Sequence, residues 1–289
     1  MEKPAKRLLR GLGAAAGCAG VLLLRSEYER NRFVVEEYGI SSPKIRRPVT
    51  FVFLTDLHEK VFGEDNTPLR RALLRINPDA VLVGGDMVTC PKDREKYDVS
   101  LAFLEFAALN WPVFYGPGNH EDRMRTRGTV YFRRLADCGV RFLENESAYF
   151  GEDIRITGIK LDQRYYLHRF TIPRLAPGYL RETLGEADEG AYQILLMHSP
   201  QFFAECAAWG ADLTLSGHFH GGTIRLPYFG GLMTPQYQFF RRECAGRFDE
   251  GGKTMIAGRG LGTHSVNVRL NDLPQVVVIK LSPAGYEKE

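Results

Sequence analysis

Histidine, aspartate and asparagine side chains recur along the 289-residue chain in an order that is typical of a metal site. Five of the 7 histidines belong to this series, and most of them follow a short apolar run. The motifs are Asp56-Leu57-His58, Gly85-Asp86, Gly118-Asn119-His120-Glu121, His198 and Gly217-His218-Phe219-His220. Seven of these side chains are candidate metal ligands: Asp56, His58, Asp86, Asn119, His198, His218 and His220.

The ligand types and their spacing indicate which ions the site would hold. Carboxylate, imidazole and carboxamide groups without sulfur suit Mn, Fe, Zn or Co better than Ca. Residues i and i+2 of an extended segment point to the same side, so Asp56 and His58 are expected to be neighbouring ligands. The same reasoning pairs His218 with His220. Asp86 follows two glycines, and because its carboxylate has two oxygens we expect it to be shared by two divalent ions.

Two neighbouring ions favour one reaction above others. At a separation of about 3.5 to 4 Å they lower the pKa of a bridging water and stabilise the attacking and leaving oxygens of an in-line displacement. Hydrolysis of a phosphoester by a bridging hydroxide is the reaction that this geometry serves best. His120 stands beside a candidate ligand without being one, so we expect its imidazole to protonate the departing alkoxide.

The candidate ligands follow segments that are predicted to be strands. Residues 49–54 form an apolar, β-branched run that ends just before Asp56, and residues 68–76 and 80–83 then read as a helix and a second buried strand. Similar runs precede His198 and His218. Open α/β sheets bind ligands outside the carboxyl ends of their strands, so these loops can meet at one rim. The pattern predicts an α/β fold with two sheets packed face to face and covered by helices.

Composition excludes several other classes of protein. The net charge is +3 and the 38 basic residues are widely spread, which argues against a nucleic-acid partner. The 5 cysteines are odd in number and contain no C-x-x-C pair, which argues against a disulfide framework or a thiolate zinc site. A hydrophobic content of 44% is enough for one sizeable core. We therefore expect one catalytic domain.

The N-terminal segment has the pattern of a membrane anchor. Several basic residues precede the uncharged residues 11–24, and mixed charges follow. We predict an anchor and tether over residues 1–46 and a catalytic domain over residues 47–289. Because the positive charges come first, the N-terminus is expected in the cytoplasm and the domain outside the cell membrane. An amphipathic or buried first helix is the alternative, since four glycines weaken the signal for a membrane span.

These motifs together resemble the calcineurin-like metallophosphoesterases over about residues 47–281. Residues 217–227 and 258–281, including Arg269, resemble a bacterial subgroup with an N-terminal membrane segment. The resemblance implies a four-layer α/β/β/α sandwich with two mixed sheets, and it implies that His120 is the acid. The first ion would be held by Asp56, His58, Asp86 and His220. The second ion would be held by Asp86, Asn119, His198 and His218.

Three residues depart from the family pattern. Thr89 stands where many members have a second aspartate, so the group that orients His120 is open. Thr223 replaces a usual glutamine and Gln275 a usual glutamate. None of the three is an ion ligand, so the chemistry is expected to survive while substrate preference becomes less predictable.

The predicted function is hydrolysis of a phosphomonoester, phosphodiester or pyrophosphate. Cleavage of a lipid-linked envelope substrate is the alternative within this class, and the anchor motivates it. Two alternatives of a different kind are an inactive metal-binding interaction scaffold and a metal-storage or sensing protein, since a fold does not fix a function. Arg123, Arg125 and Arg127 follow His120 and could attract an anion, but such a run is more often solvated and is given no role.

Overall fold

The computed structural model describes residues 4–90, 95–125, 130–263 and 266–286, and it gives side chains from residue 10 onward. The helices within these ranges are α1 (Pro4–Arg30), α2 (Thr67–Ile76), α3 (Asp98–Asn110), α4 (Asn119–Arg125), α5 (Val130–Asp137), α6 (Tyr179–Leu184) and α7 (Phe203–Trp209). The strands are β1 (Val34–Ser42), β2 (Val49–Leu54), β3 (Ala80–Val83), β4 (Val113–Tyr115), β5 (Arg141–Phe142), β6 (Glu146–Phe150), β7 (Ile154–Gly158), β8 (Tyr192–Leu196), β9 (Leu213–Ser216), β10 (Arg225–Leu226), β11 (Gly230–Gly231), β12 (Gly246–Glu250), β13 (Lys253–Ala257) and β14 (Gln275–Pro283).

Twelve of these strands form two six-stranded sheets. The first has the order β1-β14-β2-β3-β4-β5, and the second has the order β12-β13-β9-β8-β7-β6. In the first sheet β14 is antiparallel to β2 while β2, β3, β4 and β5 are parallel to one another. In the second, parallel β7, β8, β9 and β13 are flanked by antiparallel β6 and β12. Both sheets are therefore mixed, as predicted.

The alternation of side chains along the strands explains why the sheets are covered on both faces. In β2, Phe51 and Phe53 point into a core between the two sheets, whereas Val52 and Leu54 point into a core beneath helices. The core between the sheets also contains buried residues of β3, β8, β9, β13 and β14. Strands buried on both faces read as continuous apolar runs, which is what the sequence shows.

Helices form the two outer layers. Buried side chains of α2, α3 and α5 pack on the outer face of the first sheet. Leu180 of α6 and Cys206 of α7 pack on the outer face of the second sheet with Leu195 of β8. The predicted four-layer α/β/β/α sandwich is confirmed.

The predicted membrane anchor is wrong. Within the described ranges of the chain, no helix combines the length and the apolar character needed to cross a membrane. Helix α1 is 27 residues long, but its uncharged stretch covers only residues 11–24 and carries four glycines, whereas a span takes about 20 apolar residues. The predicted membrane partner and the predicted location of the domain outside a cell membrane are corrected by the same finding.

The C-terminal end of α1 packs on the sandwich. Ser26 and Glu29 are buried, the hydroxyl of Ser26 accepts a hydrogen bond from the backbone N–H of Arg269 (3.0 Å), and Glu29 accepts one from the backbone N–H of Asp272 (3.0 Å). β1 then pairs along its length with β14 and forms an edge of the first sheet. The predicted domain boundary between residues 46 and 47 remains a prediction. Strand β1 precedes that boundary in the chain and is nevertheless part of the first sheet.

Candidate metal centre

All seven predicted ligands and His120 lie together at one rim of the sandwich. They follow the carboxyl ends of five strands, most of them in loops and Asn119 and His120 in the first turn of α4, and both sheets contribute. Asp56 and His58 follow β2, Asp86 follows β3, Asn119 and His120 follow β4, His198 follows β8, and His218 and His220 follow β9. All eight side chains are buried.

Their nitrogen and oxygen atoms form three groups in which the candidate ligand atoms lie within 4.8 Å of one another. These groups are Asp56-His58-His220, His58-Asp86-His120 and Asp86-His198-His218. His58 and Asp86 each belong to two groups, so the three groups form one continuous cluster. Any of the three has the composition of a metal site.

Hydrogen bonds fix the position of each aspartate, and one oxygen of each faces the histidines of the cluster, although Oδ1 of Asp56 also accepts the His218 backbone N–H at 3.2 Å. Oδ2 of Asp56 accepts hydrogen bonds from the Thr55 hydroxyl (2.7 Å) and the His218 backbone N–H (3.0 Å). Oδ1 of Asp86 accepts the backbone N–H of His120 (2.8 Å). The remaining oxygens face imidazoles: Asp56 Oδ1 lies 3.2 Å from His220 Nε2, and Asp86 Oδ2 lies 3.2 Å from His198 Nε2.

Two glycines are required by this arrangement. A Cβ on Gly118 would overlap the carboxylate of Asp86, and a Cβ on Gly217 would overlap that of Asp56. The glycines of the G-N-H-E and G-H-x-H motifs therefore allow a backbone turn to pass directly against each carboxylate.

The second ring nitrogen distinguishes His120 from three of the four predicted histidine ligands; the fourth, His218, has its Nδ1 beside the Asn119 amide. Nδ1 of His58, His198 and His220 faces a backbone carbonyl oxygen, at 3.2, 2.7 and 3.2 Å respectively. A carbonyl only accepts, so Nδ1 carries the hydrogen and, in the neutral ring, Nε2 presents a lone pair to the cluster. His120 is arranged in the opposite way, because its Nδ1 accepts the backbone N–H of Cys90 (2.9 Å). Its Nε2 therefore carries a hydrogen, and it lies 4.0 Å from Asp86 Oδ2.

The cluster brings acceptor atoms against one another, which is the arrangement that cations satisfy. The Nε2 atoms of His58 and His220 are 3.2 Å apart although both rings use Nδ1 as the donor. The side-chain amide of Asn119 lies 3.2 Å from Asp86 Oδ2 and 3.3 Å from His218 Nδ1; with its NH2 group turned to these acceptors it donates to both, and with its oxygen turned to them it could bind a cation. The residues present thus fit divalent ions with oxygen and nitrogen ligands.

Burial and mutual charge set the protonation states. Burial alone would raise the pKa of Asp56 and Asp86, but the neighbouring histidines outweigh it and lower both pKa values. Burial lowers the pKa of His58 and His218, so both rings are neutral and suited to bind metal. Burial also disfavours a charged His198, but Asp86 and Asp56 outweigh it and raise the pKa of His198 to about 10. A cation that binds here must displace that proton.

The backbone conformation of the predicted ligands differs from the extended one expected from the sequence. Five predicted ligands have left-handed φ angles: Asp56 (54°), His58 (46°), Asp86 (51°), His218 (64°) and His220 (47°). The expectation that i and i+2 pairs point the same way because their segments are extended is therefore wrong, although Asp56 Oδ1 and His58 Nε2 do lie 3.8 Å apart. Such angles are uncommon outside glycine and cluster where the surrounding structure enforces them, as in functional sites.

Glu121 enforces one of these loops, and the sequence reasoning gave it no role. Its fully buried carboxylate accepts the backbone N–H groups of Asp86 (2.8 Å), Met87 (2.9 Å) and Gly118 (2.9 Å). The Tyr115 hydroxyl donates a further hydrogen bond of 2.6 Å. Burial, together with the charge of Asp86, raises the pKa of Glu121. We call this carboxylate and its donors the Glu121 clamp.

A buried arginine holds the loop behind His220. Arg269 donates to the backbone carbonyls of Arg259 (2.7 Å) and Gly262 (2.6 Å) and to the carboxylate of Asp272 (3.2 Å). The carbonyl of Gly262 is also the one that faces Nδ1 of His220. Arg269 and Asp272 in turn bond α1, as described above. This Arg269 network therefore connects the N-terminal helix to a predicted metal ligand.

Two further side chains border the cluster. Arg123 lies one helical turn after Asn119, and its Nη2 lies 2.8 Å from the atom of the Asn119 amide that is the oxygen when the NH2 group faces Asp86. The ring of Tyr166 packs edge-on against that of His218 with centroids 4.9 Å apart. The i, i+4 spacing could have indicated Arg123, whereas no sequence signal marks Tyr166. Arg125 instead pairs with Glu144, and Arg127 lies outside the described residues.

Two of the three departures from the family pattern have structural accounts, and nothing in the structure explains the threonine at position 223. Thr89 has no carboxylate with which to orient His120. The backbone N–H of the next residue, Cys90, donates to Nδ1 of His120 instead. Gln275 donates to Glu36 of β1 (2.6 Å), a contact in which a glutamate would oppose a second carboxylate. Thr223 has a φ of 66°, which is strained for a β-branched residue, and its backbone bonds His220 and Leu270.

Comparisons with known proteins agree with this geometry. A model of the family described as calcineurin-like phosphoesterase matches residues 49–222. The chain is 24% identical to the uncharacterized protein YpbG of Bacillus subtilis, over 94% of this chain and 96% of that protein. It is 29% identical to an uncharacterized metallophosphoesterase of Aquifex aeolicus, over 87% and 92% of the two chains, and 27% identical to the phosphodiesterase YaeI of Escherichia coli, over 81% and 82%. The chain belongs to the calcineurin-like phosphoesterase family and is a metallophosphoesterase.

Proposed function

We propose that the chain hydrolyses a phosphomonoester or phosphodiester with two divalent ions. Asp56, His58, Asp86 and His220 would hold one ion, as the resemblance implies. Asp86, Asn119, His198 and His218 would hold the other. When bound, the ions would supply a nucleophile from water at neutral pH and neutralise charge on the phosphoryl oxygens.

The observation that carries the proposal is the opposite orientation of His120 and its neighbours. His58, His198 and His220 turn Nδ1 to a carbonyl and Nε2 to the cluster, as ligands do. His120 receives an N–H at Nδ1 and so directs an N–H from Nε2 toward the cluster. A donor at that position can hydrogen-bond the leaving oxygen, which supports a catalytic role for His120 rather than a ligand role.

The remaining groups at the rim orient the substrate and restrict water. Arg123 places a guanidinium beside Asn119, where it can pair with a phosphoryl oxygen. The half-buried ring of Tyr166 packs against His218 beside the second predicted ion site, where it would limit the access of water. The complete ligand set and the family assignment favour this function over an inactive scaffold. The predicted membrane anchor was the reason for considering a lipid-linked envelope substrate, and that reason no longer holds.

The test uses the full-length protein, metal content by mass spectrometry, and hydrolysis of an aryl phosphodiester and an aryl phosphomonoester with Mn. We expect Asp86→Asn to lose both bound metal and turnover. We expect His120→Ala to keep bound metal and to lose about 10² to 10⁴ in kcat. His168→Ala, which changes an exposed histidine, is the matched control and should leave both unchanged.

Two results would contradict the proposal. Full turnover and normal metal content in both Asp86→Asn and His120→Ala would refute the roles of these residues. Metal uptake by the unaltered protein without hydrolysis of either ester would instead indicate a storage or sensing protein.

A further inference from the structure

Two segments beside the metal cluster concentrate positive charge and exposed rings. Residues 163–175 and 220–242 contain six arginines and no lysine, aspartate or glutamate. Their six positive charges exceed the net charge of +3 of the whole chain. Five of their aromatic side chains are more than half exposed: Phe170, Tyr228, Phe229, Phe239 and Phe240. We call these five rings, together with Arg169, Arg174 and Arg242, the basic aromatic surface.

The two segments are bonded to each other. The buried amides of Gln236 and Gln238 in the second segment donate to backbone carbonyls of the first, at 3.0 and 2.7 Å. The backbone N–H of Phe170 donates back to the carbonyl of Gln236 (3.0 Å). The ring of Phe170 also stacks on that of Tyr237 with centroids 5.7 Å apart. The surface is therefore held in one arrangement before a ligand binds, which reduces the entropic cost of binding.

Both segments also contact the metal cluster. In the first segment, Gln163 donates to the backbone carbonyl of Asn119 (2.9 Å), and the ring of Tyr166 packs against His218. The second segment begins with the predicted ligand His220. A long ligand on the basic aromatic surface can therefore place one of its groups at the cluster.

The three arginines of the surface are available to an anion. They are exposed, and in the part of the chain that the structure describes no carboxylate pairs with Arg169, Arg174 or Arg242. The other three arginines of the two segments already contact oxygen atoms of Asp162, Gly221 and Glu243. Guanidinium groups bind phosphate through paired hydrogen bonds and also stack on rings, as Arg169 does over Tyr237 at 5.5 Å.

The chemistry of this surface suits a single-stranded nucleic acid. Bases stack on exposed aromatic rings whatever their sequence, and basic side chains bind the phosphates between them. Three aliphatic side chains are exposed in the same segments: Leu167, Ile172 and Leu226. The rings outnumber them, and a purely apolar partner would leave the guanidinium groups without acceptors. A nucleic acid offers a base and a phosphate at every nucleotide.

We propose that the basic aromatic surface binds a single-stranded nucleic acid and places one of its phosphodiesters at the metal cluster. The proposal rests on the proposed function and names its substrate class. Hydrolysis would consume one water and break one P–O ester bond. The oxygen of water joins the phosphorus, one proton reaches the leaving oxygen by way of His120, and the other is released from the phosphate product. The expectation of no nucleic-acid partner rested on the charge of the whole chain, which does not show this local concentration of arginine.

The first measurement is binding to the full-length, Mn-loaded His120→Ala variant, which is expected to keep its metal and to cleave slowly. Fluorescence anisotropy follows a labelled oligothymidylate of about 12 nucleotides, which is long enough to reach several rings and arginines. Polyglutamate of the same charge is the comparison, because it carries no bases. Stacking of one base contributes about tenfold in affinity, so we expect oligothymidylate to bind at least about tenfold more tightly than polyglutamate.

Two triple variants locate the charge. The first combines Arg169→Gln, Arg174→Gln and Arg242→Gln. The second is the control and combines Arg71→Gln, Arg75→Gln and Arg133→Gln, at exposed positions of α2 and α5. A plot of log affinity against log salt concentration should become shallower by about 2 in the first variant, since three phosphate contacts are lost, and should keep its slope in the second.

Two double variants test the rings. Phe239→Leu with Phe240→Leu keeps the surface apolar and removes two stacking partners. Tyr149→Leu with Tyr286→Leu makes the matched change at exposed rings elsewhere. We expect the affinity for oligothymidylate to fall about tenfold in the first pair and to stay within about twofold in the second, with the affinity for polyglutamate unchanged in both.

Equal affinity for oligothymidylate and polyglutamate, an unchanged salt dependence in the first arginine variant, or tighter binding to phosphatidylglycerol vesicles would overturn the proposal. Hydrolysis of an aryl phosphodiester by the unaltered protein without cleavage of bound oligothymidylate would also overturn it. Failure of the proposed function gives a different result. In that case oligothymidylate still binds to the basic aromatic surface, while the unaltered protein with Mn hydrolyses neither the aryl esters nor the oligonucleotide.

Discussion

Replacement of Glu121 by glutamine tests whether the Glu121 clamp positions the metal cluster. The substitution keeps the size of the side chain and exchanges one carboxylate oxygen for an NH2 group. If the NH2 replaces Oε2, it faces the backbone N–H groups of Asp86 and Gly118. If it replaces Oε1, it faces the N–H of Met87. Either orientation leaves a buried donor without an acceptor.

The magnitude follows from those contacts. A hydrogen bond to a charged group contributes about 1.5 to 3 kcal/mol, and the two donors lost at Oε2 set an upper value of about 6 kcal/mol. Burial disfavours the ionised carboxylate, as the raised pKa of Glu121 indicates, so removing its charge offsets part of the loss. We expect Glu121→Gln to lower the free energy of unfolding by about 3 kcal/mol. Since the clamp fixes the backbone at Asp86, Mn affinity should fall as well.

Urea unfolding followed by the fluorescence of Trp111 and Trp209 measures the first effect. Titration calorimetry with Mn measures the second. Glu64→Gln changes an exposed glutamate and is the control, with an expected change within about 0.5 kcal/mol. An unchanged urea midpoint in Glu121→Gln, or lower stability with Mn affinity like that of the unaltered protein, would refute the reasoning.

Three other perturbations address the surroundings of the site. Burial raises the pKa of Asp272 to about 6, above its usual value of 3.8, so its contribution to stability is complete below pH 3.8 and is lost as the pH rises through 6. Asp272→Asn should remove about 1.4 kcal/mol of the stability difference between pH 5 and pH 8, measured by urea unfolding at both values, and an unchanged difference would contradict this. Glu29→Gln should destabilise the fold by about 1 to 3 kcal/mol in thermal unfolding, because Glu29 is the buried acceptor for the backbone of Asp272, while Glu27→Gln at an exposed position should not. Removing Mn with a chelator should lower the melting temperature by about 5 °C or more, because a ligand at 100 times its Kd stabilises a protein by about 2.7 kcal/mol. A melting temperature that is the same with and without Mn would exclude a metal centre.

The same feature of the sequence, its buried strands, predicted both the layers of the fold and the position of the candidate ligands. Continuous apolar runs such as residues 49–54 and 80–83 identify strands buried on both faces, and chemical groups directly after them must lie at the rim. The periodicity of apolar residues does not predict the path of the chain beyond the end of a strand. The left-handed backbone at Asp56 and His58 depends on long-range bonds, because their N–H groups donate to carbonyls of residues 85 and 86.

The N-terminal prediction failed for a related reason. Basic residues followed by an uncharged stretch describe a membrane anchor and an ordinary helix equally well over fourteen residues. The sequence pattern also does not show that Ser26 and Glu29, shortly after this stretch, are buried against the sandwich. Their partners, Arg269 and Asp272, lie 243 residues further along the chain, so no local pattern connects them.

Strain at the ligands and the two networks that hold them are parts of one arrangement. Left-handed residues other than glycine cost about 1 to 3 kcal/mol each, and five predicted ligands adopt such angles. The Glu121 clamp holds the loop of Asp86 in the first sheet, and the Arg269 network supports His220, which follows the second sheet. Ions bound between these loops would connect the two sheets. Because the unfolded chain cannot present the ligands together, metal affinity and fold stability must change in the same direction when either network is weakened.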